Sequence, residues 1–168
     1  MANFIKNFFI KHNTSVNHRV SGLRFYPKTL NYVGFFCFSD VMPNTNLITI
    51  LKSTFGIQTQ FAIFVFSKNY ENSDVEYINM EKIDIFGKFK DAKLIEKISN
   101  LDMLIDMTGK QTTLKEFCIS MANQAYKITL GAQTHNIYNL SIKLKTFDQS
   151  IFAEEIIKYH NILDHVKR

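Results

Sequence analysis

The first 39 residues of the chain contain no aspartate or glutamate, because Asp40 is the first acidic residue. The same stretch contains five lysine and arginine side chains, which equal the whole formal net charge of +5. The remaining 15 basic and 15 acidic side chains cancel. A basic segment of this kind favours an anionic partner over a cationic one, either a phosphate backbone or a lipid headgroup. The predicted anion-binding residues are Lys6, Lys11, Arg19, Arg24 and Lys28.

Cysteine and long apolar runs are also scarce. The chain has two cysteines, Cys37 and Cys118, and both lie in apolar stretches where a thiol behaves as a small buried hydrophobe. We therefore expect free buried thiols and a location in the reducing cytoplasm. No apolar run reaches the ~18 residues that a transmembrane helix requires. Lys6 and Lys11 interrupt the first apolar stretch, so we do not expect a secretory signal.

Complete catalytic, nucleotide-binding and metal-binding motifs are absent from the sequence. The segment Gly109-Lys110-Gln111-Thr112 is similar to the end of a phosphate-binding loop, but that loop requires a glycine at position 104 and a serine or threonine at position 111. No Gly-x-Gly-x-x-Gly follows the first predicted strand. The histidines and cysteines show neither His-x-x-x-His nor Cys-x-x-Cys spacing. We therefore predict no cofactor and no metal.

An alternation of apolar runs and amphipathic segments indicates an α/β fold. Residues 32–39 and 60–67 are continuous apolar runs, typical of strands that are buried on both faces. Pro43 and the apolar residues after it predict a helix that ends near Gly56. Further strands are predicted at 103–107, 128–130 and 140–144, one or two short strands within 75–86, and helices over 91–99, from Thr113 onwards, and over 152–163. We predict a three-layer Rossmann-like domain with a mainly parallel sheet at residues 32–168, preceded by a basic helical arm at residues 1–31.

The predicted helix after residue 112 has a clear start and a clear apolar face. Thr113 and Glu116 have the spacing of a capping box, in which each side chain binds a free amide of the first turn. The apolar residues then follow a 3.6-residue period at Leu114, Phe117, Cys118, Met121, Ala122 and Ala125. The pattern predicts a helix that buries one face.

The basic arm combines an apolar helical face with a basic and aromatic stretch. Phe4, Ile5, Phe8 and Phe9 share one face of a helix, which docks on the domain, lies in a membrane interface or enters a partner groove. In the polar stretch 13–31, Arg19, Arg24 and Lys28 alternate with apolar and aromatic residues, a mixture typical of proteins that follow a nucleic-acid backbone. A solvated linker is the alternative for this stretch.

A predicted crevice lies at the carboxyl ends of two strands. In doubly wound sheets, ligands bind where the strand order reverses, outside those ends. If residues 32–39 and 103–107 are neighbouring strands, the polar residues that follow them meet in one place. The predicted crevice residues are Ser39, Asp40, Asp106, Thr108 and Lys110.

Several segments carry a resemblance to known families. Ile85-Phe86-Gly87, residues 101–106, 122–131, 138–142 and the predicted helix 152–163 resemble, in this order, a family of small uncharacterised bacterial proteins. The resemblance covers most of the chain after Tyr32 and implies no activity. The strand, helix and short strand ending at Gly131 are faintly similar to the acceptor-side half of heptosyltransferase-type glycosyltransferases. This likeness implies a Rossmann-like core, and the chain lacks the second half, which holds the nucleotide sugar in those enzymes.

The observations favour a cytoplasmic, non-catalytic binding or adaptor protein that engages RNA or a ribonucleoprotein through its basic arm. Two alternatives stay open at this point. One is a peripheral protein of an anionic membrane surface. The other is a small nucleotide-binding or transferase-like enzyme that uses the strand-end crevice.

Overall fold

The computed structural model describes residues 2–20, 24–67, 74–131 and 137–165. A short 3₁₀ turn, Met80–Lys82, precedes the third helix. From the first strand onwards, strands and helices alternate much as the sequence predicts. The elements are α1 (Ala2–Val20), β1 (Tyr32–Phe38), α2 (Thr45–Phe55), β2 (Gln60–Phe66), β3 (Glu76–Ile78), α3 (Ala92–Ser99), β4 (Met103–Asp106), α4 (Thr113–Met121), β5 (Tyr126–Leu130), β6 (Leu140–Ile142) and α5 (Gln149–His165).

The strands of the described residues form one parallel sheet of six strands in the order β3-β2-β1-β4-β5-β6. Helices cover both of its faces, so the predicted three-layer Rossmann-like fold is confirmed. The predicted neighbours β1 and β4 are paired, with Phe36 opposite Asp106. The strand order therefore reverses between β1 and β4, as the crevice prediction requires.

Alternate residues of β1 point to two separate cores. Phe35 packs on the face that α2 and α5 cover, together with Leu47 and Phe152. Phe36 packs on the opposite face, under α3 and α4, together with Leu94. Because β1 is buried on both faces, it has to be apolar at every position, which is why its sequence shows no alternation.

Helix α4 is buried on two sides. Its predicted face, which includes Phe117 and Cys118, packs on the sheet side, but Ile119 and Ser120 are fully buried as well. Helix α1 lies against α4, and Asn17 Nδ2 donates a hydrogen bond to Ser120 Oγ over 3.1 Å. Helix α1 therefore covers the side of α4 that the periodicity assigned to solvent.

Helix α1 docks through a face other than its most apolar one. Ile10 is fully buried in the core that contains Phe36, and Thr14 is buried beside it. The backbone of α1 approaches Gly87 unusually closely, because a Cβ at Gly87 would lie 2.7 Å from the Ile10 backbone nitrogen. Gly87 also has φ +71°, a conformation that glycine adopts without strain. Asn13 Nδ2 donates to the Gly87 carbonyl over 3.1 Å and closes this contact.

Two predicted helix caps differ from the observed ones by one or two residues, although α4 begins at Thr113 as predicted. Pro43 lies before α2 rather than in its first turn, and the N-cap is Asn44, whose side chain accepts a hydrogen bond from the Leu47 amide. The N-cap of α4 is Thr112 rather than Thr113, since Thr112 Oγ1 accepts from the Lys115 amide over 3.2 Å. Adjacent polar residues compete for the same free amides, so the sequence does not decide between them.

Candidate functional site

The predicted crevice brings together residues in two different environments. Asp106 and Thr108 are buried at the carboxyl end of β4, whereas Ser39, Asp40 and Lys110 are exposed. Burial raises the pKa of the Cys37 thiol to about 12, and the charges of Asp106 and Asp40 make smaller contributions in the same direction. They therefore lie in the same region, but Asp106 is enclosed by protein and Asp40 is not.

Asp106 is the centre of a buried polar cluster, which we define as Asp106, Thr108, Lys115 and Tyr138. Its Oδ1 atom accepts hydrogen bonds from the Thr108 amide over 2.9 Å and from Thr108 Oγ1 over 2.7 Å. Its Oδ2 atom accepts from Lys115 Nζ over 2.9 Å and from the Tyr138 hydroxyl. Lys115 Nζ also contacts Thr108 Oγ1 over 2.8 Å. Four donors of the protein thus occupy this carboxylate.

The chemistry of the polar cluster is that of structural support. Burial, and then the charge of Asp106, raise the pKa of Tyr138, so its hydroxyl remains a hydrogen-bond donor. Thr129, which pairs with Asp106 across the sheet, also interacts with the Tyr138 hydroxyl. A ligand that needs Asp106 would have to displace groups of the protein. Binding of a ligand at the predicted crevice stays a prediction.

The predicted anion-binding residues contact different parts of the domain. Lys6 Nζ donates to the Met80 carbonyl, and Arg24 Nε donates to the Asn123 carbonyl over 2.8 Å. Lys11 and Lys28 are exposed, and the side chain of Arg19 lies outside the described residues. Two of the five basic residues, Lys6 and Arg24, are thus attached to the domain, and the division of the basic arm from the domain at residue 31 stays a prediction.

Residues 24–31, which we call the strap, follow the amino-terminal edge of the sheet. At one end Arg24 binds Asn123, just before β5, and at the other end the Asn31 amide donates to Asp102, just before β4. Tyr26 is buried and packs edge-on against Tyr126, with ring centroids 5.0 Å apart. Its hydroxyl is hydrogen-bonded to His160 Nδ1, whose pKa is lowered by burial. The strap is therefore a bound part of the domain.

Phe25 points away from the domain. Its side chain is 94% exposed, although its neighbours Arg24 and Tyr26 are both anchored. A solvent-exposed aromatic ring contributes no hydrophobic free energy to folding, because that free energy comes from removing apolar surface from water. The strap thus exposes the Phe25 ring between two basic residues, Arg24 directly before it and Lys28 three residues after it.

Lys127 is a buried basic residue that the sequence analysis did not single out. It is the second residue of β5 and is 4% exposed. Burial, and then the charge of Arg24, lower its pKa to about 8. The signal that could have identified it is its place within the run Tyr126-Lys127-Ile128, where a lysine interrupts a buried strand.

Helix α1 and the turn at residues 84–88 share an apolar surface, which we define as Phe4, Phe8, Ile85 and Phe86. Phe4 is 79%, Phe8 62% and Phe86 56% exposed. Phe9 connects the two elements, because its ring lies 5.7 Å from that of Phe8 and 5.9 Å from that of Phe86. The predicted apolar face of the arm thus remains available, since α1 docks through Ile10 and Thr14 instead.

The described residues also bear on membrane insertion, metal binding and thiol chemistry. None of these helices combines the length and apolarity that crossing a bilayer requires. The same residues contain no group of three or more His, Cys, Asp and Glu side chains placed to hold a metal ion. Cys37 and Cys118 are free and buried, as predicted.

Comparison with known proteins gives one match. A family model described as a family of unknown function, DUF6913, matches residues 2–163. No curated protein and no solved structure matches the chain. The matched range includes α1, the strap and all six strands of the sheet.

Proposed function

The chain belongs to the DUF6913 family, whose function is unknown, and on this premise we propose that it is a non-catalytic binding protein that engages RNA or a ribonucleoprotein through its strap. The observation that carries the proposal is Phe25, 94% exposed between Arg24 and Lys28. Proteins that bind single-stranded nucleic acids combine aromatic rings, on which bases stack, with basic side chains that follow the phosphates. The strap has both, in a segment that the domain holds in place.

The contacts that anchor the strap favour binding, because the strap is already ordered before a partner binds. Arg24 donates to the Asn123 carbonyl over 2.8 Å, and its own carbonyl accepts from Asn139 Nδ2 over 2.9 Å. Thr59 Oγ1 donates to the Leu30 carbonyl over 2.7 Å further along the strap. A segment that is already ordered does not lose that conformational freedom on binding.

Substitutions in the strap test the proposal. Phe25→Ala is expected to weaken binding of a short single-stranded RNA by about 5- to 150-fold, because a stacked base contributes about 1–3 kcal/mol. Replacing Arg24 and Lys28 by Gln is expected to make the slope of log affinity against log salt shallower by about 1.4, from about 0.7 per phosphate contact. Fluorescence anisotropy of labelled RNA at several salt concentrations measures both quantities.

Matched controls lie elsewhere on the surface. Phe86→Ala removes another exposed ring, and replacing Lys143 and Lys145 by Gln removes the same charge from exposed positions. These variants are expected to bind RNA like the unmodified protein. If Phe25→Ala and the Arg24/Lys28 double variant bound RNA with the same affinity as the unmodified protein, the proposal would be contradicted. Deleting residues 1–31 is a poorer test, since it also removes Ile10, Tyr26 and Leu30 from the cores.

Peripheral attachment to an anionic membrane is the second candidate, and the apolar surface favours it. Phe4 and Phe8 are exposed on α1, which also contains Lys6 and Lys11. The helix contains no acidic residue that would offset these positive charges. Exposed apolar groups with neighbouring basic groups are typical of helices that lie in the headgroup region.

Vesicle sedimentation tests this second candidate. If the apolar surface inserts, Phe8→Glu is expected to abolish co-sedimentation with anionic vesicles and to leave the melting temperature unchanged, because Phe8 is 62% exposed. Ile57→Glu, a charge placed at another exposed apolar position, is the control and is expected to retain binding. Retained vesicle binding in Phe8→Glu would exclude insertion through this surface.

The enzyme alternative has less support, because the protein's own donors occupy Asp106. A nucleotide-binding or transferase-like activity at the predicted crevice stays a prediction; its residues are Ser39, Asp40, Asp106, Thr108 and Lys110. The faint likeness to heptosyltransferase-type enzymes, the bacterial origin and the cytoplasmic location stay predictions as well.

A further inference from the structure

Lys127 and Lys115 are equally buried but have opposite surroundings. Lys115, 3% exposed, lies 2.9 Å from the Asp106 carboxylate and 2.8 Å from Thr108 Oγ1. Lys127 is 4% exposed, and among the described residues none forms an ion pair with its ammonium or accepts a hydrogen bond from it. A buried ammonium normally has a partner, since its desolvation is costly otherwise. Lys127 is therefore the exception in this domain that needs an explanation.

The Lys127 ammonium retains access to solvent. Within the described residues, no fully enclosed side-chain nitrogen or oxygen lacks a hydrogen-bond partner, so an unpartnered Nζ has to reach the surface. Lys127 lies at the amino-terminal end of β5, on the sheet edge opposite to the predicted crevice.

A single amide side chain connects the backbones of Arg24 and Lys127. Asn139 Oδ1 accepts from the Lys127 amide over 2.9 Å, and Asn139 Nδ2 donates to the Arg24 carbonyl over 2.9 Å. The Arg24 guanidinium is fixed through Nε, which donates to the Asn123 carbonyl, and its two terminal nitrogens have no acceptor among the described residues. The backbone of Arg24 is thus tied to the start of β5, and its guanidinium has donors to spare.

The two positive charges repel each other without a compensating carboxylate. Burial, and then Arg24, lower the pKa of Lys127 to about 8, and no acidic group contributes. The two undescribed segments nearest in sequence, 21–23 and 132–136, contain no Asp or Glu. A bound anion would remove this repulsion and accept the unused donors.

We propose that Lys127 and Arg24 form a binding site for a phosphate group. A guanidinium fork presents paired donors to phosphate oxygens, and an ammonium supplies a point charge beside it. Phe25, next to Arg24 in the chain, is placed for the base or sugar that a nucleotide phosphate carries. The inference rests on the proposed function and deepens it, because it names Lys127 of β5 as a fixed phosphate contact that acts together with Arg24 of the strap.

Site-resolved titration of the full chain tests the inference. The probes are inorganic phosphate, adenosine monophosphate, a short single-stranded RNA and phosphatidylglycerol vesicles, followed through the NMR amide signals of Lys127 and Asn139. Lys127→Met and Arg24→Met are each expected to weaken phosphate binding by about tenfold or more, the loss of a charged hydrogen bond. Lys145→Met, which removes the same charge from an exposed site, is expected to change it by less than about twofold, because salt screens distant surface charges.

The outcomes separate this inference from the proposed function. Phosphate affinity that is the same in Lys127→Met as in the unmodified protein overturns the phosphate site. RNA binding that needs Phe25 but not Lys127 also overturns it and leaves the proposed function standing. Binding of inorganic phosphate or the nucleotide without RNA binding supports the site as one for small phosphates and contradicts the proposed function. Binding of vesicles alone, lost in Lys127→Met, supports a lipid headgroup as the source of the phosphate.

Discussion

Replacing Lys115 by Met is expected to lower the free energy of unfolding by about 3–5 kcal/mol, because it leaves the Asp106 carboxylate buried without its countercharge. Asp106 is fully buried, so water cannot replace the lost ammonium. Its remaining partners are Thr108 and the Tyr138 hydroxyl, which are neutral. An exposed carboxylate at a strand end or helix start would contribute only about 0.3–1 kcal/mol, so the larger expected loss reflects the burial of Asp106.

Chemical unfolding by urea measures this loss, and two further variants identify its cause. Lys158→Met breaks the exposed pair with Glu155 and is expected to change stability by less than about 1 kcal/mol. A double variant, Asp106→Asn with Lys115→Met, contains no buried charge at this place and is expected to be more stable than Lys115→Met alone. A double variant that is less stable than the single one would show that the carboxylate does not need the ammonium.

In contrast to Lys115→Met, Lys127→Met is expected to raise the free energy of unfolding, by about 1–3 kcal/mol at neutral pH. Each unit of pKa shift corresponds to about 1.4 kcal/mol. The folded protein lowers the pKa of Lys127 from 10.5 to about 8, so folding disfavours the charged form. Below pH 8 both the folded and the unfolded chain carry the proton, and the full cost is present. Methionine keeps the length of the side chain without its charge.

The pH dependence of this effect follows from the same pKa difference. Between about pH 8 and 10.5 the unfolded chain binds more protons than the folded one, so the contribution of Lys127 to stability rises with pH. The advantage of Lys127→Met is therefore expected to shrink across this range. Urea unfolding of both proteins at pH values on either side of 8 measures it. A variant that is less stable than the unmodified protein at neutral pH would mean that the ammonium stabilises the fold.

A gain in stability on losing Lys127 also bears on function. Residues that bind ligands commonly cost stability, because their polar groups are positioned for a partner that the free protein lacks. Added phosphate is expected to narrow the difference between the two proteins, since binding to the folded state stabilises the unmodified protein alone. Lys115, in contrast, has its partner within the fold.

The local pattern was sufficient to predict most of the regular elements. Apolar runs too long and continuous for a half-exposed strand predicted β1 and β2, and polar and apolar alternation predicted the edge strand β6. These predictions succeed because burial on one or two faces acts directly on neighbouring residues of the chain. The segment 75–86 was less well determined, and it contains the short strand β3 followed by a 3₁₀ turn. So short an element carries too few residues for a period to be recognised.

The sequence by itself determined the Rossmann-like fold class and the basic N-terminal segment, because charge balance and periodicity are properties of neighbouring residues. The pairing of β1 with β4 was an assumption of the crevice prediction, and the tertiary structure decided it. Tertiary structure decided which side chains have partners. Tyr138 meets Asp106 across 32 positions of the chain, and Asn139 reaches Arg24 across 115. It also decided that α1 docks through Ile10 and leaves Phe8 exposed, and Gly87, which has no Cβ, leaves room for the helix backbone at Ile10. The burial and partners of a charge depend on groups that only the folded chain brings together, which is why the fold gives Lys115 a carboxylate partner and leaves Lys127 without one.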